Sequence, residues 1–376
     1  MHSFTAHRVT VGAEVGRPLV FQEFPGSAVR GALYRSLVAQ FCANQPILDH
    51  GGCLACPMLS ACPVAYLAAT LNPDADRGEN VPRPFTVEPP LLTTDHGPPT
   101  IPPRPPSTGG DVGGRPPTTQ GMFVFEAGTP FTFGVTLYAE ALQLFPYVVQ
   151  AVRGMGETGL GIKATANGWR RGTFTLRELW ADNPITGERQ AVLQRGSGLV
   201  TMPDVPIRHA HLAALPPPPP GGRVQVAFLT PTRLKHGGEV VRGAPPFRAL
   251  FQRLLERLAS LVQIFSDTPL DPDLRYSLVG LSDGVRLVAG QARWTHLEGY
   301  SGRQGGHTSI SGIVGHAVYQ ADDWASLWPW LKWGEIIHVG KNAVKGEGML
   351  SVTSLDAATN GQSDPVSHAK EAVWTS

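Results

Sequence analysis

A stretch near the end of the chain combines the residue types that phosphate binding requires. Residues 338–348 read HVGKNAVKGEG. The residues of interest in it are His338, Gly340, Lys341, Lys345, Gly346 and Gly348. Glycine lets backbone N–H groups turn toward an anion with no Cβ in the way, and lysine adds positive charge where phosphates pass. A second glycine-rich stretch, GMGETGLG at 154–161, holds the equivalent place in the first half. The combination predicts phosphate binding rather than an ordinary turn.

Further basic and aromatic residues precede this stretch. Between residues 233 and 257, two acidic residues, Glu239 and Glu256, stand against six basic ones: Arg233, Lys235, Arg242, Arg248, Arg253 and Arg257. The sequence YSGRQGG at 300–306 adds Tyr300, Arg303 and Gln304. Tyrosine can stack on a base, and arginine can pair with a phosphate or a purine edge. A charged helix face is usually just solvated, but together with the glycine-rich stretch these residues favour phosphate binding.

All four cysteines fall within 21 residues, in and before the sequence CLACPMLSACP. They are Cys42, Cys53, Cys56 and Cys62. A CxxC with two further cysteines close by can bind zinc or an iron–sulfur cluster. The alternative is four reduced structural thiols in a reducing cytosol. The spacing is not that of two CxxC pairs, so a structural metal and plain thiols both stay open.

The composition describes a globular protein with much irregular structure. The chain has 376 residues, 43 glycines, 35 prolines and a formal net charge of +1, which fits two domains and decides nothing about a nucleic-acid partner. No run of about 18 apolar residues occurs, so no membrane partner is expected. The first residues, MHSFTAHRVTV, lack the pattern of a signal peptide. We expect a cytoplasmic protein.

Three segments interrupt the regular pattern. Residues 89–121 are almost all Pro, Gly and Thr and predict a disordered insertion. The sequence LPPPPPGG at 215–222 predicts a stiff linker between two halves. A polar tail follows from residue 355. The predicted domains are therefore 1–214 and 223–354, followed by the tail at 355–376.

The order of elements is the same in both halves. In the first half, HRVTV predicts a strand, SAVRGALYRSLVAQFC a helix, TPFTFGVTLYA a strand, FPYVVQAVRGM a helix and GTFTLRELW a strand. In the second half, RVQVAFLT, SLVGLSDGVRLVAG, GIVGHAVYQ, EIIHVG and MLSVTSL predict strands, whereas PPFRALFQRLLERLASLVQIF and ASLWPWLKW predict helices. Asp322 or Asp323 is expected to cap the second of these helices. The fold class is α+β, with two tandem ferredoxin-like (RRM-like) domains.

Several of these segments together resemble one family. LTPTRLKHGG, YSGRQGG, GIVGHAVY and LWPWLKWGEIIHVGK in the second half, with GSAVRGAL, CLACPMLSACP and GMGETGLG in the first, resemble the CRISPR-associated RAMP endoribonucleases that process precursor crRNA, the sixth Cas family. The family signature is GhGxxxxxGhG, where h is apolar. Residues 338–348 match three of its glycines, with His338 in place of the first glycine and Glu347 in place of an apolar residue.

This resemblance implies a function as well as a fold. It implies two RAMP domains that bind CRISPR-repeat RNA and cut it without a metal. The RNA 2′-hydroxyl would attack the adjacent phosphate and leave a 2′,3′-cyclic phosphate. No cofactor is expected for catalysis, with structural zinc as the open possibility. Other Cas effector-complex subunits are the expected protein partners.

The resemblance also indicates where to look for catalytic residues. Where the family uses a histidine, it often lies in or just after the first helix, which is the place of His50. Tyr34 and Arg30 lie one helical turn apart in that helix and can orient groups or stabilise charge. His236 and His307 are further candidates for the acid or base. The open alternative to an endoribonuclease is a non-catalytic crRNA-binding or scaffold subunit of the same fold.

Overall fold

The protein is described here by a computed structural model. It describes residues 3–22, 24–46, 52–68, 82–91, 122–301 and 306–356. The predicted disordered insertion lies outside these residues from residue 92 onward, as does the predicted tail from residue 357. Within the described ranges, no helix is both long and apolar enough to cross a membrane.

The first half contains nine strands and four helices within the described residues. The strands are β1 Thr5–Arg17, β2 Leu19–Gln22, β3 Phe85–Glu88, β4 Met122–Phe125, β5 Pro130–Tyr138, β6 Leu160–Ala164, β7 Arg170–Asp182, β8 Arg189–Leu193 and β9 Ile207–Arg208. The helices are α1 Gly26–Phe41, α2 Pro63–Ala68, α3 Phe145–Thr158 and α4 His209–Ala213.

The main sheet of this half has the order β3-β5-β1-β7-β6. β1 lies at its centre and pairs antiparallel with both β5 and β7. Alternate residues Val9, Val11, Ala13 and Val15 of β1 are buried in one core, because successive side chains of a strand point to opposite faces. The helices α1 and α3 pack against each other and contribute to that core.

The second half repeats this plan. Its strands are β10 Arg223–Thr232, β11 Lys235–His236, β12 Glu239–Val240, β13 Arg286–Gly290, β14 Arg293–Thr295, β15 Glu298–Ser301, β16 Gly306–Ser309, β17 Gly312–Gln320 and β18 Leu350–Ser354. Its helices are α5 Phe247–Phe265, α6 Pro272–Leu281 and α7 Trp328–Ile337. The sheet order is β13-β17-β10-β18.

Both sheets therefore have the strand order of a ferredoxin-like fold. Counting the main strands of each half as first to fourth, both sheets read second-third-first-fourth, with a helix after the first strand and another after the third. The apolar stripe of α5 is buried in the second core. The tryptophans at 324–333 are buried there too, as the sequence indicates. The predicted fold class is confirmed.

Some element boundaries differ from the predictions. SLVGL was predicted to be strand but ends α6, which begins after Asp271, whose side chain accepts a hydrogen bond from the Asp273 N–H at 2.9 Å. EII was also predicted to be strand, yet it completes α7. That helix starts only at Trp328, after Leu327, so neither Asp322 nor Asp323 caps it. These short apolar runs fit a helix or a strand equally well on periodicity alone.

The two halves share buried surface. Phe4, Ala6, Tyr138 and Ile207 belong to the first half by sequence but are buried in the core of the second. The polyproline segment ends at Gly221, whose N–H donates to the Asp322 carbonyl at 3.1 Å. The predicted limits of the domains stay a prediction, because the second core draws residues from both sides of the predicted linker.

Candidate nucleic-acid interface

The glycine-rich stretch at 338–348 is a tight loop between α7 and β18. Its backbone is left-handed at His338, Gly340, Asn342, Gly346 and Gly348, with φ between 60° and 85°. Several of its N–H groups are already used within the protein. Lys341 N donates to the Arg233 carbonyl at 3.3 Å, and Gly348 N donates to the Pro231 carbonyl at 3.1 Å. The expectation that these backbone groups turn toward a phosphate is therefore wrong for them.

The glycines allow the loop to pack closely against protein. A Cβ at Gly346 would lie 2.5 Å from the Pro89 side chain and 2.8 Å from the Val87 carbonyl, both of the first half. A Cβ at Gly348 would lie 1.7 Å from the Val339 carbonyl oxygen. Both glycines are buried. Their predicted contact with RNA is wrong, because they approach backbone of the protein rather than solvent.

The lysines of the loop lie among arginines of the first half. Lys345 is half-buried, and burial lowers the pKa of its ammonium group; Glu347 opposes that shift. The charges of Arg30, Lys341 and Arg83 lower the Lys345 pKa further, so these cations lie within electrostatic range of it. The charges of Lys345, Lys341 and Arg233 each lower the pKa of the buried Glu347 carboxyl group, so all three lie within electrostatic range of it. We call this set the joint surface: Arg30, Arg83, Arg233, Lys341 and Lys345.

Three separate segments build the joint surface. Arg30 comes from α1, whose N-terminal end touches the loop: a Cβ at Gly26 would lie 2.0 Å from the Lys345 carbonyl oxygen. Arg83 lies two residues before β3, which also contacts the loop. Sequence reasoning missed Arg83, because only the pairing of β3 with β5 brings it here. A lone arginine between two prolines carries no signal of its own.

Tyr34 lies beside the joint surface on α1. The Arg30 guanidinium carbon is 5.3 Å from the centre of the Tyr34 ring, as the spacing of one helical turn predicts. Burial raises the pKa of Tyr34, and the neighbouring Cys53 raises it further, whereas Arg30 lowers it. Tyr34 therefore keeps its proton at neutral pH and can donate a hydrogen bond to a phosphate oxygen.

The four cysteines gather at the other end of α1. All four are free and half-buried. Burial raises the pKa of Cys53, and Cys62, Cys42 and Cys56 raise it further, so the thiols lie within electrostatic range. No group of three or more Cys, His, Asp or Glu side chains in the described ranges has the arrangement of a metal site. The thiols as placed do not fit a zinc ion, and the predicted metal stays a prediction.

The predicted histidines are dispersed. His50 lies outside the described residues, as do Arg303 and Gln304. Tyr300 and His307 are paired in the ladder of β15 and β16, and of these two residues only the backbone is described. His236 and Lys235 are exposed in the short pair β11–β12.

His338 is fully buried, which lowers its pKa to about 4 although Glu88 opposes that shift. The imidazole is therefore neutral and has no access to RNA. The predicted contact of His338 with RNA is wrong, and its place is beneath the loop.

A buried polar network lies under the joint surface and ties the halves together. Arg257 of α5 donates to the Ile337 carbonyl at 2.7 Å and to the Thr86 hydroxyl of β3 at 3.1 Å. Arg8 of β1 binds Glu88 of β3 through two nitrogens, at 2.7–2.9 Å. Ion pairs of this kind, once desolvated, hold a fixed geometry.

The three arginines of α5 all have partners within the protein. Arg257 is buried in this network, Arg248 pairs with Asp283, and Arg253 pairs with Glu256 at 2.5 Å.

Comparison with known proteins gives the family. Residues 226–350 match the family model described as CRISPR-associated endoribonuclease Cas6, and residues 4–205 match the model described as the N-terminal domain AF_1859_N. No curated protein matches the sequence.

Among solved structures, the chain is similar to Cas6 of Thermus thermophilus, at 13% identity and a TM-score of 0.45 over 94% of this chain and 100% of that one. A Cas6 product complex matches at 16% identity and a TM-score of 0.47, over 93% and 99% of the two chains. A partial Cas6-RT-Cas1–Cas2 complex matches at 11% identity and a TM-score of 0.51, over 94% of this chain and 46% of that one. The last supports the fold alone.

The two family models follow one another along the chain and between them span both ferredoxin-like sheets. The AF_1859_N model covers more than half of the chain, so the protein belongs to that family, and its second half matches the model of the CRISPR-associated endoribonuclease Cas6.

Proposed function

We propose that the protein binds CRISPR-repeat RNA at the joint surface and cuts it without a metal ion. The observation that carries the proposal is the position of Lys345 of the second half among Arg30 and Arg83 of the first. Cations that come together from the two halves can neutralise the phosphates of an RNA strand that runs between the halves. The match of residues 226–350 to an endoribonuclease family model supports RNA as the ligand.

The proposed reaction needs three kinds of group. A base removes the proton of the RNA 2′-hydroxyl, whose oxygen attacks the adjacent phosphorus. The bond from phosphorus to the 5′-oxygen breaks, and an acid protonates that oxygen. The products are a 2′,3′-cyclic phosphate and a 5′-hydroxyl. Arg30, Arg83 and Lys345 would stabilise the extra negative charge of the transition state.

Tyr34 and His50 are the candidates for proton transfer. The Tyr34 hydroxyl keeps its proton and lies next to Arg30, so we assign it a hydrogen bond to the phosphate or to the leaving oxygen. His50 follows α1 in sequence and is the first candidate for the base. His236 and His307 remain second candidates, although nothing described connects them with the joint surface.

The test is cleavage of labelled repeat RNA from the source genome, in EDTA. The account predicts one cut that leaves a cyclic phosphate, and no cut when the substrate carries a single 2′-deoxyribose at that site. His50→Ala should slow cleavage about 10²–10⁴-fold. His236→Ala and His307→Ala test the second candidates: a loss of cleavage in one of them, with wild-type cleavage by His50→Ala, would assign the base to that histidine instead.

Tyr34→Phe separates chemistry from binding. It keeps the ring beside Arg30 and removes only the hydroxyl, so cleavage should slow about tenfold or more while affinity for the uncleavable RNA is retained. Equal cleavage by Tyr34→Phe and wild type would remove Tyr34 from the mechanism.

The second candidate function is a non-catalytic crRNA-binding subunit. The burial of His338 favours it to some extent, because this histidine of the loop is neutral and closed off from RNA. Tight binding of repeat RNA with no cut under any condition would select this function. In both cases we propose other Cas subunits as protein partners, which co-purification of the tagged full chain would identify.

A further inference from the structure

One tryptophan is placed where the fold gains nothing from it. Trp169 lies at the turn between β6 and β7 with 69% of its side chain exposed. Its backbone is left-handed, with φ of 59°, which is rare for a bulky residue. Exposure of a large apolar ring and a left-handed backbone each cost stability. Such a combination points to a role in binding.

The turn holds this ring in a defined position. Trp169 N donates to the Ala164 carbonyl at 2.9 Å, and Gly168 N donates to the Thr165 carbonyl at 2.9 Å. The Asn167 side chain anchors the turn to the Pro18 carbonyl at 2.8 Å. The ring is therefore presented on a fixed scaffold, which lowers the entropy lost when a ligand stacks on it.

The sequence around the ring is basic, and of its cations Arg177 pairs with Glu14 at 3.3 Å. Residues 158–177 contain four basic residues and no Asp or Glu; the basic residues are Lys163, Arg170, Arg171 and Arg177. Arg171 donates to the Gly161 carbonyl and lies near Arg35 of α1, whose pKa is lowered by burial and then by the Arg171 charge. The Arg35 guanidinium lies above Gly31, next in sequence to Arg30 of the joint surface.

A basic path thus leads along α1 from the joint surface to Trp169. Arg30 and Arg35 are five residues apart, about 7.5 Å along the helix axis and about 140° around it, and α1 contains no acidic residue. This path continues through Arg171 to the turn. Its length and charge suit a few nucleotides of extended single strand.

We propose that Trp169 stacks on an unpaired base of the RNA that leaves the joint surface, with Arg35, Arg170 and Arg171 at the phosphates. The inference rests on the proposed function and adds a second contact to it. A single strand is required because a duplex hides the faces of its bases. Lone phosphates would need no ring, and a basic surface does not suit an apolar protein partner.

The first test measures the affinity for repeat RNA that carries 2′-deoxyribose at the cut site. Trp169→Ala should weaken binding about 5- to 100-fold, the range found when a stacked base loses its aromatic partner. Trp169→Phe should retain most of the affinity. Tyr276→Ala is the matched control, because Tyr276 is an aromatic residue with 83% exposure in the second half, and it should bind as wild type.

A folding control accompanies this test. Trp169→Gly removes the ring and relieves the left-handed backbone at once. It should lose as much affinity as Trp169→Ala while its Tm rises or stays unchanged. A merely structural role for Trp169 would lower the Tm of both variants.

The second test shortens the RNA and leaves the Trp169 ring in place. Repeat RNAs shortened stepwise from either end should lose affinity once the stacked base is gone. On that RNA and on shorter ones, Trp169→Ala and wild type should bind equally. Equal binding of wild type and Trp169→Ala to the full-length repeat would overturn the inference and leave the proposed function intact. Absence of any binding by wild type would overturn both.

Discussion

The two glycine-rich segments look alike in sequence and have different roles in the structure. In the first, residues 154–161, a Cβ at Gly154 would meet the Gln40 and Ser36 side chains of α1, so this segment packs inside one half. In the second, residues 338–348, Gly346 approaches β3 of the other half. The first segment completes α3, whereas the second is a loop that joins the halves.

The difference teaches how to interpret such patterns. Glycines indicate that the backbone closely approaches a ligand or another part of the protein, and in both segments it approaches the protein itself. Only the second segment carries lysines, and only it lies beside arginines of the other half. α1 contacts both segments, the second with its N-terminal end and the first with its C-terminal part. Charge, rather than glycine content, distinguishes the proposed RNA surface.

The largest expected effect is that of Gly348→Ala. Its φ of 74° is unfavourable for alanine, and the new Cβ would lie 1.7 Å from a backbone oxygen that cannot move freely. We expect a loss of more than about 3 kcal/mol in the free energy of unfolding, measured by urea denaturation.

Gly154→Ala in the first segment is the matched control. There the new Cβ meets the flexible Gln40 side chain and the Ser36 hydroxyl, and alanine favours the helix by about 1 kcal/mol. Its stability should stay within about 1 kcal/mol of wild type. Equal destabilisation by the two changes would contradict the distinction between the segments.

A proton-linked effect of intermediate size is expected at Glu347. Burial raises the pKa of Glu347 to about 8 in the folded state, from the ordinary 4.5. Its contribution to the free energy of unfolding is therefore fully present below pH 4.5 and is lost as the pH rises to 8. The pKa of His338 is lowered to about 4, so its contribution to stability rises with pH up to 6.5 and offsets the loss from Glu347 in that range. Between pH 6.5 and 8, stability should fall by about 2 kcal/mol.

Glu347→Gln should abolish this pH dependence, because the amide has the same shape and does not titrate. Urea denaturation of both proteins at pH 6.5 and pH 8 measures it. A fall of the same size in the glutamine variant would assign the effect to another group.

The smallest expected effect is a gain at Gly31. A Cβ there would meet only the Arg35 guanidinium, at an ordinary 3.5 Å, and alanine is favoured in a helix interior by about 1 kcal/mol. Gly31→Ala should therefore raise the free energy of unfolding by about 0.5–1 kcal/mol. If RNA runs along α1, the same change should weaken its binding. A destabilised Gly31→Ala would mean that close packing at this position is missing from our account.

Much of the fold follows from the sequence. The long helices α1, α3 and α5 and the strands β1, β5, β7, β10 and β17 have clear periodicity and lie where it places them. The short segments EII and SLVGL could not be assigned from periodicity, because tertiary packing decides between helix and strand in such short runs. The start of α6 at Asp271-Pro272 could have been predicted from the sequence, because aspartate is a common cap and proline is favoured in the first turn.

The site was less predictable than the fold. The pair Arg30 and Tyr34 follows from helical spacing, and Lys341 and Lys345 follow from their own loop. Arg83 does not, because its position depends on strand pairing far along the chain. The burial of His338 and Arg257 could not be predicted either, since both are enclosed only when the two halves pack together.

The central claim is that RNA binds where Lys345 meets Arg30. The most direct test is the salt dependence of binding of uncleavable repeat RNA to the Arg30→Gln/Lys345→Gln variant. Arg248→Gln/Arg253→Gln is the control, because those arginines pair with Asp283 and Glu256. The account predicts weaker binding and a slope of log Kobs against log salt that is less steep by about 1.4, for two lost phosphate contacts on a single strand, with the control unchanged. Equal slopes for the variant and wild type would contradict it.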